Sequence, residues 1–327
     1  MIQKIGVIGA GSMGKNHARV CSELPNVELY GIVDIDKTSG KVLADRLNSE
    51  AFTDYKEMIP NIDGAIIATP TITHYDIARN LIEAGKHVLV EKPICSTAEK
   101  GQELLTLSEN NNVVLAVGHI ERHNTAVSFV KKSLDNNQYG DIISLNSKRV
   151  SNFPGRIHDV GVIHDFGVHD IDIMRYIGGE VKSVYAKSGF YKKGIEFEDH
   201  AIIVLNFEND LCGVIEVNWL TPMKIRTLSL TCEKSFVEVD FINQTVKTSS
   251  SSIENLDETN LYNLSIINQI NKTNLQKVEP LKNEINDFVE SINKNKKPLV
   301  TGYDGVQAIR IAEAALQSCK KKENVMI

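Results

Sequence analysis

Residues Gln3–Ile8 form a short apolar run, and Gly9-Ala10-Gly11-Ser12-Met13-Gly14 follows it without a break. The next residues, Lys15-Asn16-His17-Ala18-Arg19-Val20, are ordinary helix formers. A strand, a tight Gly-x-Gly-x-x-Gly turn and a helix form the setting in which backbone amides close around a pyrophosphate. Gly9 makes the turn, Gly11 lets the phosphates reach the backbone, and Gly14 lets the helix lie close on the strand. Ser12 and Met13 fall at the helix N-terminus, where free N–H groups carry partial positive charge. A second apolar run, Val27–Val33, ends on Asp34, about 20 residues past the last glycine, where an acid grips the adenosine ribose. A glycine turn that holds no ligand is the alternative.

The opening unit repeats along the chain. Apolar runs at 3–8, 27–33, 64–69, 86–91 and 113–117 alternate with helical stretches at 13–23, 37–47, 74–84 and 97–110. Such alternation implies right-handed crossovers and a parallel sheet covered on both faces. The fold class is therefore α/β, and residues 1–120 are predicted to be a Rossmann dinucleotide-binding domain with a doubly wound parallel sheet. After residue 140 the pattern changes. Ile142–Val150, Val181–Phe190, His200–Phe207, Cys212–Trp219, Ile225–Cys232 and Phe236–Asp240 follow one another as strands, with one helix at about 165–177 before most of them. Residues 121–327 thus read as an α+β domain with a largely antiparallel, open-faced sheet. A one-layer sheet leaves a face to cover, and a twin subunit covers it, so a homodimer or homotetramer is expected. Residues 243–280, rich in Asn, Ser, Thr and Gln, leave room for some strand pairing, but no structure is forced on them. Leu281–Asn293 and Asp304–Lys321 carry apolar residues at helical spacing, and the second of these can pack back on the first domain.

Composition removes several classes of function. The chain has 327 residues and a formal charge of −6, with no basic stripe interleaved with aromatics, which argues against a nucleic-acid partner. No apolar stretch approaches the roughly 20 residues of a membrane span. A strand opens the chain, so no signal peptide is expected. The five cysteines (Cys21, Cys95, Cys212, Cys232, Cys319) are scattered and never in Cys-x-x-Cys spacing, which fits reduced thiols and a cytoplasmic location.

Candidate chemistry gathers at two kinds of place. Thr69-Pro70, with His74 shortly after, and Glu91-Lys92-Pro93 both end predicted parallel strands, where ligands of open parallel sheets bind. His74 can equally well only pack at a helix start, and Lys92 alone could be a solvated surface lysine. The helix Ile163-His164-Asp165-Phe166-Gly167-Val168-His169-Asp170-Ile171-Asp172 sets Asp165 and His169 four apart, on one face. A histidine with a carboxylate beside it can take the proton from a hydroxyl while the carbon gives up hydride. A metal site built from the same acids and histidines is a rival, although no His-x-x-x-His pair and no cysteine joins them, so no metal is expected. A purely structural role for the pair is a second rival.

Together these residues resemble the glucose–fructose oxidoreductase / inositol dehydrogenase (Gfo/Idh/MocA) family over nearly the whole chain. The resemblance rests on Gly9–Gly14 with His17, Asp34, Thr69-Pro70 with His74, Glu91-Lys92-Pro93, Asp165-x-x-x-His169-Asp170 and the closing segment 298–305. It implies NAD-linked oxidation of a sugar or cyclitol hydroxyl. Lys92 and His169 would then handle protons, Asp165 would contact substrate and support them, and Asp34 would favour NAD over NADP. Segments 117–124 and 149–161 look like the UDP-N-acetylglucosamine 3-dehydrogenase branch, departing from it at His123, Thr125 and Gly155. In that branch Arg149, Arg156 and His158 would bind substrate, the arginines suiting a diphosphate. A myo-inositol or simple sugar dehydrogenase would share the catalytic trio. A non-catalytic NAD-binding regulator is the reading from a different class.

Overall fold

A computed structural model describes residues 1–153, 160–255 and 265–327. The chain divides into two compact units: residues 1–123 with 278–313, and residues 124–277 with 314–327.

In the first unit six strands run parallel: β1 Gln3–Ile8, β2 Val27–Val33, β3 Glu50–Phe52, β4 Gly64–Ile67, β5 His87–Glu91 and β6 Leu115–Gly118. Their spatial order is β3-β2-β1-β4-β5-β6. The central strands are apolar almost throughout, as strands covered on both faces must be. The crossovers are α1 Ser12–Glu23, α2 Lys37–Leu47, α3 His74–Glu83 and α4 Ala98–Asn110. The order reverses between β1 and β4, and ligands of such sheets bind outside the carboxyl ends of the strands at that reversal.

In this unit two findings differ from the sequence expectation. β3 is a three-residue edge strand, too short to show a pattern. The helix α7, Pro280–Lys294, lies in the first unit rather than in a second domain starting at residue 121. Its Leu281, Ile285, Phe288 and Val289 share one core cluster with Ile5, Val7, Val20 and Ile32. The last helix, α8 Gly302–Lys321, belongs to the first unit as far as Glu313.

The second unit holds α5 Thr125–Asp135, which the sequence reading did not assign, and α6 Val168–Gly178 beside one nine-stranded sheet. Its strands are β7 Ile142–Asn152, β8 Val181–Gly189, β9 His200–Phe207, β10 Cys212–Asn218, β11 Leu220–Cys232, β12 Phe236–Asp240, β13 Thr245–Asn255, β14 Ser265–Asn274 and β15 Val325–Met326. All pairings are antiparallel except that of β10 with β7. β9 shows the one-faced alternation expected: Ala201, Ile203, Leu205 and Phe207 point to the core, His200 and Ile202 to solvent. The polar stretch from 243 to 280 carries two strands, with Thr245 opposite Asn274 and Thr248 opposite Asn271. Threonine is a good strand former, and here the pairing partner rather than an apolar face supplies the order.

Candidate active site

The first unit builds a dinucleotide cradle. Gly9 ends β1 at φ +102°, a left-handed conformation that side chains disfavour, and a Cβ there would sit 2.6 Å from the Ala68 carbonyl oxygen. At Gly14 a Cβ would lie 1.8 Å from the Gly9 carbonyl oxygen, so only glycine lets α1 start this close to the strand. The space above Gly11 is open, with nothing within 4 Å of where its Cβ would be. No side chain caps the first turn of α1 and no acid lies in it, which suits a phosphate there. Asp34, at the end of β2, accepts from the Ala10 N–H at 2.6 Å and from the Asp36 N–H at 2.8 Å, fixing its carboxylate against the glycine loop. These groups fit NAD.

Two aliphatic side chains that the sequence reading passed over stand at this rim. Ile35, just past β2, is 96% exposed, and Ile72, just past Pro70, is 79% exposed. Each follows a strand that flanks β1, at the carboxyl ends where such sheets bind their ligands. The signal in the sequence was an isoleucine directly after Asp34.

Two residues expected at the cofactor make internal hydrogen bonds that brace the loops around it. His74 is buried, with Nδ1 2.9 Å from the Pro93 carbonyl oxygen and Nε2 2.9 Å from that of Thr69. Burial lowers its pKa, against the pull of those carbonyls and of Glu91. The ring ties the Thr69-Pro70 and Lys92-Pro93 loops together and has no nitrogen left for a dinucleotide. Glu91 likewise turns inward. Its carboxylate meets His17 Nε2 at 2.8 Å and accepts from the Lys92 N–H at 3.2 Å. Burial alone would raise the Glu91 pKa, but bonding to His17 and the nearby Lys92 charge hold it below the usual range. His17, fully buried, is the partner to which sequence reading gave no role. Its place on the buried stripe Gly14, His17, Ala18 and Cys21 was the available signal. Thr69 takes a hydrogen bond from Thr73 at 2.7 Å. Lys92, half-buried, leaves the strand beside this support.

The second unit carries Asp165 and His169 on one continuous helical stretch. Residues Ile163–Gly167 form a π-turn leading straight into α6. Such turns hold one extra residue, are rare, and recur at functional sites. Asp165 is buried and His169 half-buried. Phe166 meets the indole of Trp219 edge-on, with ring centroids 6.3 Å apart.

The remaining members of this helix and the arginines sort differently from expectation. Asp170 is buried in an ion pair with Arg149, whose Nε lies 2.6 Å away, and it also accepts from Ser147. The Arg149 guanidinium lies over the Phe241 ring, 5.6 Å from its centroid, and is fully buried. Arg149 thus has an internal carboxylate as partner, where the sequence expectation set a substrate diphosphate. Arg156 and His158 lie outside the described residues. Among the described residues no group of three or more His, Cys, Asp or Glu side chains is arranged to hold a metal ion, and no helix is long and apolar enough to cross a membrane.

Known proteins resemble the chain along its length. A family model described as "Oxidoreductase family, NAD-binding Rossmann fold" matches residues 3–119, and a GFO/IDH/MocA C-terminal domain model matches residues 127–238. The uncharacterized oxidoreductase YrbE of Bacillus subtilis (strain 168) is 30% identical, over 96% of this chain and 93% of its own. A UDP-N-acetylglucosamine 3-dehydrogenase of Acidithiobacillus ferrooxidans is 26% identical over 96% of this chain and 95% of its own. A solved structure of that enzyme aligns with a TM-score of 0.87 at 24% identity, covering 98% of each chain. An inositol 2-dehydrogenase of Rhizobium meliloti (strain 1021) is 26% identical over the full length of both chains.

Proposed function

Because this chain belongs to the GFO/IDH/MocA family of oxidoreductases, with NAD as its cofactor, we propose that it oxidises a secondary ring hydroxyl of a UDP-N-acetylhexosamine at the 3-position. The observation that carries the dehydrogenase chemistry is the Asp165–His169 pair displayed on a π-widened turn, together with a lysine at the carboxyl end of β5. NAD bound at the glycine loop supplies the hydride acceptor. The chain's own residues do the rest. His169 takes the hydroxyl proton, Asp165 orients its ring, and Lys92 serves as the second proton-handling group, held at its backbone by Glu91. Asp34 repels a 2′-phosphate and so selects NAD over NADP.

The nucleotide-sugar choice rests on the Acidithiobacillus relative. An inositol or simple sugar substrate is the second reading, favoured by the Rhizobium relative and by the enclosure of Arg149. Following NADH absorbance with UDP-N-acetylglucosamine, myo-inositol and glucose, each with NAD and with NADP, separates the two. We expect kcat/KM for the nucleotide sugar with NAD to exceed the others at least about tenfold, a difference of about 1.4 kcal/mol. Faster oxidation of myo-inositol or glucose would replace the substrate.

The same reading covers the open sheet face with a second copy of this chain. Tyr185 on β8 and Ile202 on β9 are 42% and 45% exposed there, and burying such side chains stabilises association by about 25 cal/mol per Å². Sedimentation at micromolar concentration is expected to give a dimer or tetramer, and a monomer would remove this part of the proposal. A cytoplasmic location fits the five free thiols. Burial pushes Cys21 up to about 12, and Cys95 and Cys232 up to about 11, away from thiolate chemistry.

A further inference from the structure

Beneath the turn that carries Asp165 lies a residue the catalytic reading does not use. Glu198 immediately precedes Asp199 and β9, and it is almost fully buried. Its main-chain carbonyl accepts from the Val162 N–H at 2.9 Å. Its side-chain Oε1 accepts from the Ile163 N–H at 3.1 Å. One residue therefore takes two consecutive amides at the start of the helical stretch. The first bond within that stretch, from the Asp165 N–H to the Gly161 carbonyl, follows directly at 3.0 Å.

The fit is close. A Cβ on Gly161 would stand 2.1 to 2.2 Å from the carboxyl carbon and both oxygens of Glu198, so the carboxyl lies flat against the Cα of Gly161. The backbone of Gly161 is not left-handed, so a side chain here would be resisted by space alone and would have to displace the Glu198 carboxyl.

Asp199 adds a second hold. Its carbonyl accepts from the Trp219 N–H at 2.9 Å. Its carboxylate accepts from the N–H groups of Tyr191 and Lys192 at 2.8 and 2.6 Å and meets His200 Nδ1 at 2.7 Å. The Trp219 indole in turn rests on Phe166, the residue after Asp165. The dipeptide Glu198-Asp199 thus reaches the turn by two routes, through its first amides and through the Trp219–Phe166 contact.

We propose that Glu198 is a positioning residue: packed on Gly161 and bonded to Ile163, it sets the register of the π-turn and hence the placement of Asp165 and His169. This rests on the reading of those two residues as the catalytic pair. Displacing a catalytic group by about 1 Å can cost about a hundredfold in rate. Burial and the Asp199 charge raise the Glu198 pKa, so what the site asks of this side chain is an acceptor oxygen of the right shape rather than a charge.

The test compares Glu198→Ala, Glu198→Gln, Gly161→Ala and the Gly161→Ala/Glu198→Ala double variant, with His169→Ala as reference. Turnover of UDP-N-acetylglucosamine with NAD is measured, alongside NAD affinity as a check that the first domain is intact. The emission of Trp219, the only tryptophan in the chain, reports on the turn without any substrate. Expected are a tenfold or greater fall in kcat and a shifted emission for Glu198→Ala and for Gly161→Ala, with NAD affinity unchanged. Glu198→Gln keeps the acceptor and should hold kcat within about threefold of the parent. The double variant should be no worse than Glu198→Ala, because the new methyl then has room, and this non-additivity marks a direct contact. Full turnover in Glu198→Ala beside a crippled His169→Ala overturns the inference alone, as do additive losses in the double variant. Full turnover in His169→Ala overturns the catalytic reading and this inference with it.

Discussion

Replacing Lys92 or His169 by alanine is expected to lower turnover a hundredfold or more while NAD still binds. Positioned proton transfer contributes about 10² to 10⁴ in rate, and under the proposed mechanism each substitution removes one such group. NAD affinity should survive because the cradle lies elsewhere, in Gly9, Gly11, Gly14 and Asp34, each held by backbone geometry that neither substitution touches. Turnover is read from NADH absorbance and affinity from an NAD titration of each variant. Unchanged turnover in both variants would take these residues out of the mechanism. A loss confined to affinity would turn Lys92 into a cofactor contact.

Glu284→Gln is expected to make the protein more stable, and increasingly so as the pH rises. Glu284 is buried on α7, and neither carboxyl oxygen has a hydrogen-bond partner. Burial, with the charges of Glu91 and Asp287, pushes its pKa well above the usual carboxylate range. A carboxyl whose folded-state pKa is raised is stabilising in its neutral form. Its contribution is complete below the unfolded-state value and is lost as the pH climbs through the folded-state value. Each unit by which the group is raised corresponds to about 1.4 kcal/mol, and 1 kcal/mol moves Tm by about 2–4 °C in a unit of this size. Glutamine is neutral throughout. Calorimetry of both proteins at pH 5 and pH 8 should show the variant's advantage growing by about 3 °C or more across that interval. An offset that does not change with pH would mean that Glu284 is ionised or solvated in the folded state.

How far the sequence disclosed all this depended on whether the needed information was local. The parallel sheet was legible because each strand is a buried apolar run and each crossover is a helix of ordinary length. The glycine loop was legible because Gly9 and Gly14 answer to constraints only a few residues long. The partner of Arg149 was not legible because Asp170 is distant in the chain, and an arginine in a strand looks the same whether it faces a ligand or an internal carboxylate. The internal partners of His74 and Glu91 were not legible either. Strand ends are visible in sequence, whereas the direction a polar side chain takes from them is not. The π-turn was invisible for a related reason: a spacing of four between Asp165 and His169 reads as an ordinary helix. The bounds and register of the β13–β14 hairpin were not legible because such polar strands show no apolar alternation, and only the facing strand reveals them.

The helix α7 has a consequence for how this chain is made. A ribosome that has completed the first 123 residues has laid down every strand of the parallel sheet, but not Leu281, Ile285, Phe288 or Val289, which close over Ile5, Val7 and Ile32. The nucleotide-binding half therefore waits, with a bare oily flank, until the chain has grown from residue 123 to residue 278 and beyond. A truncated product ending between the halves would meet the cell with that flank uncovered.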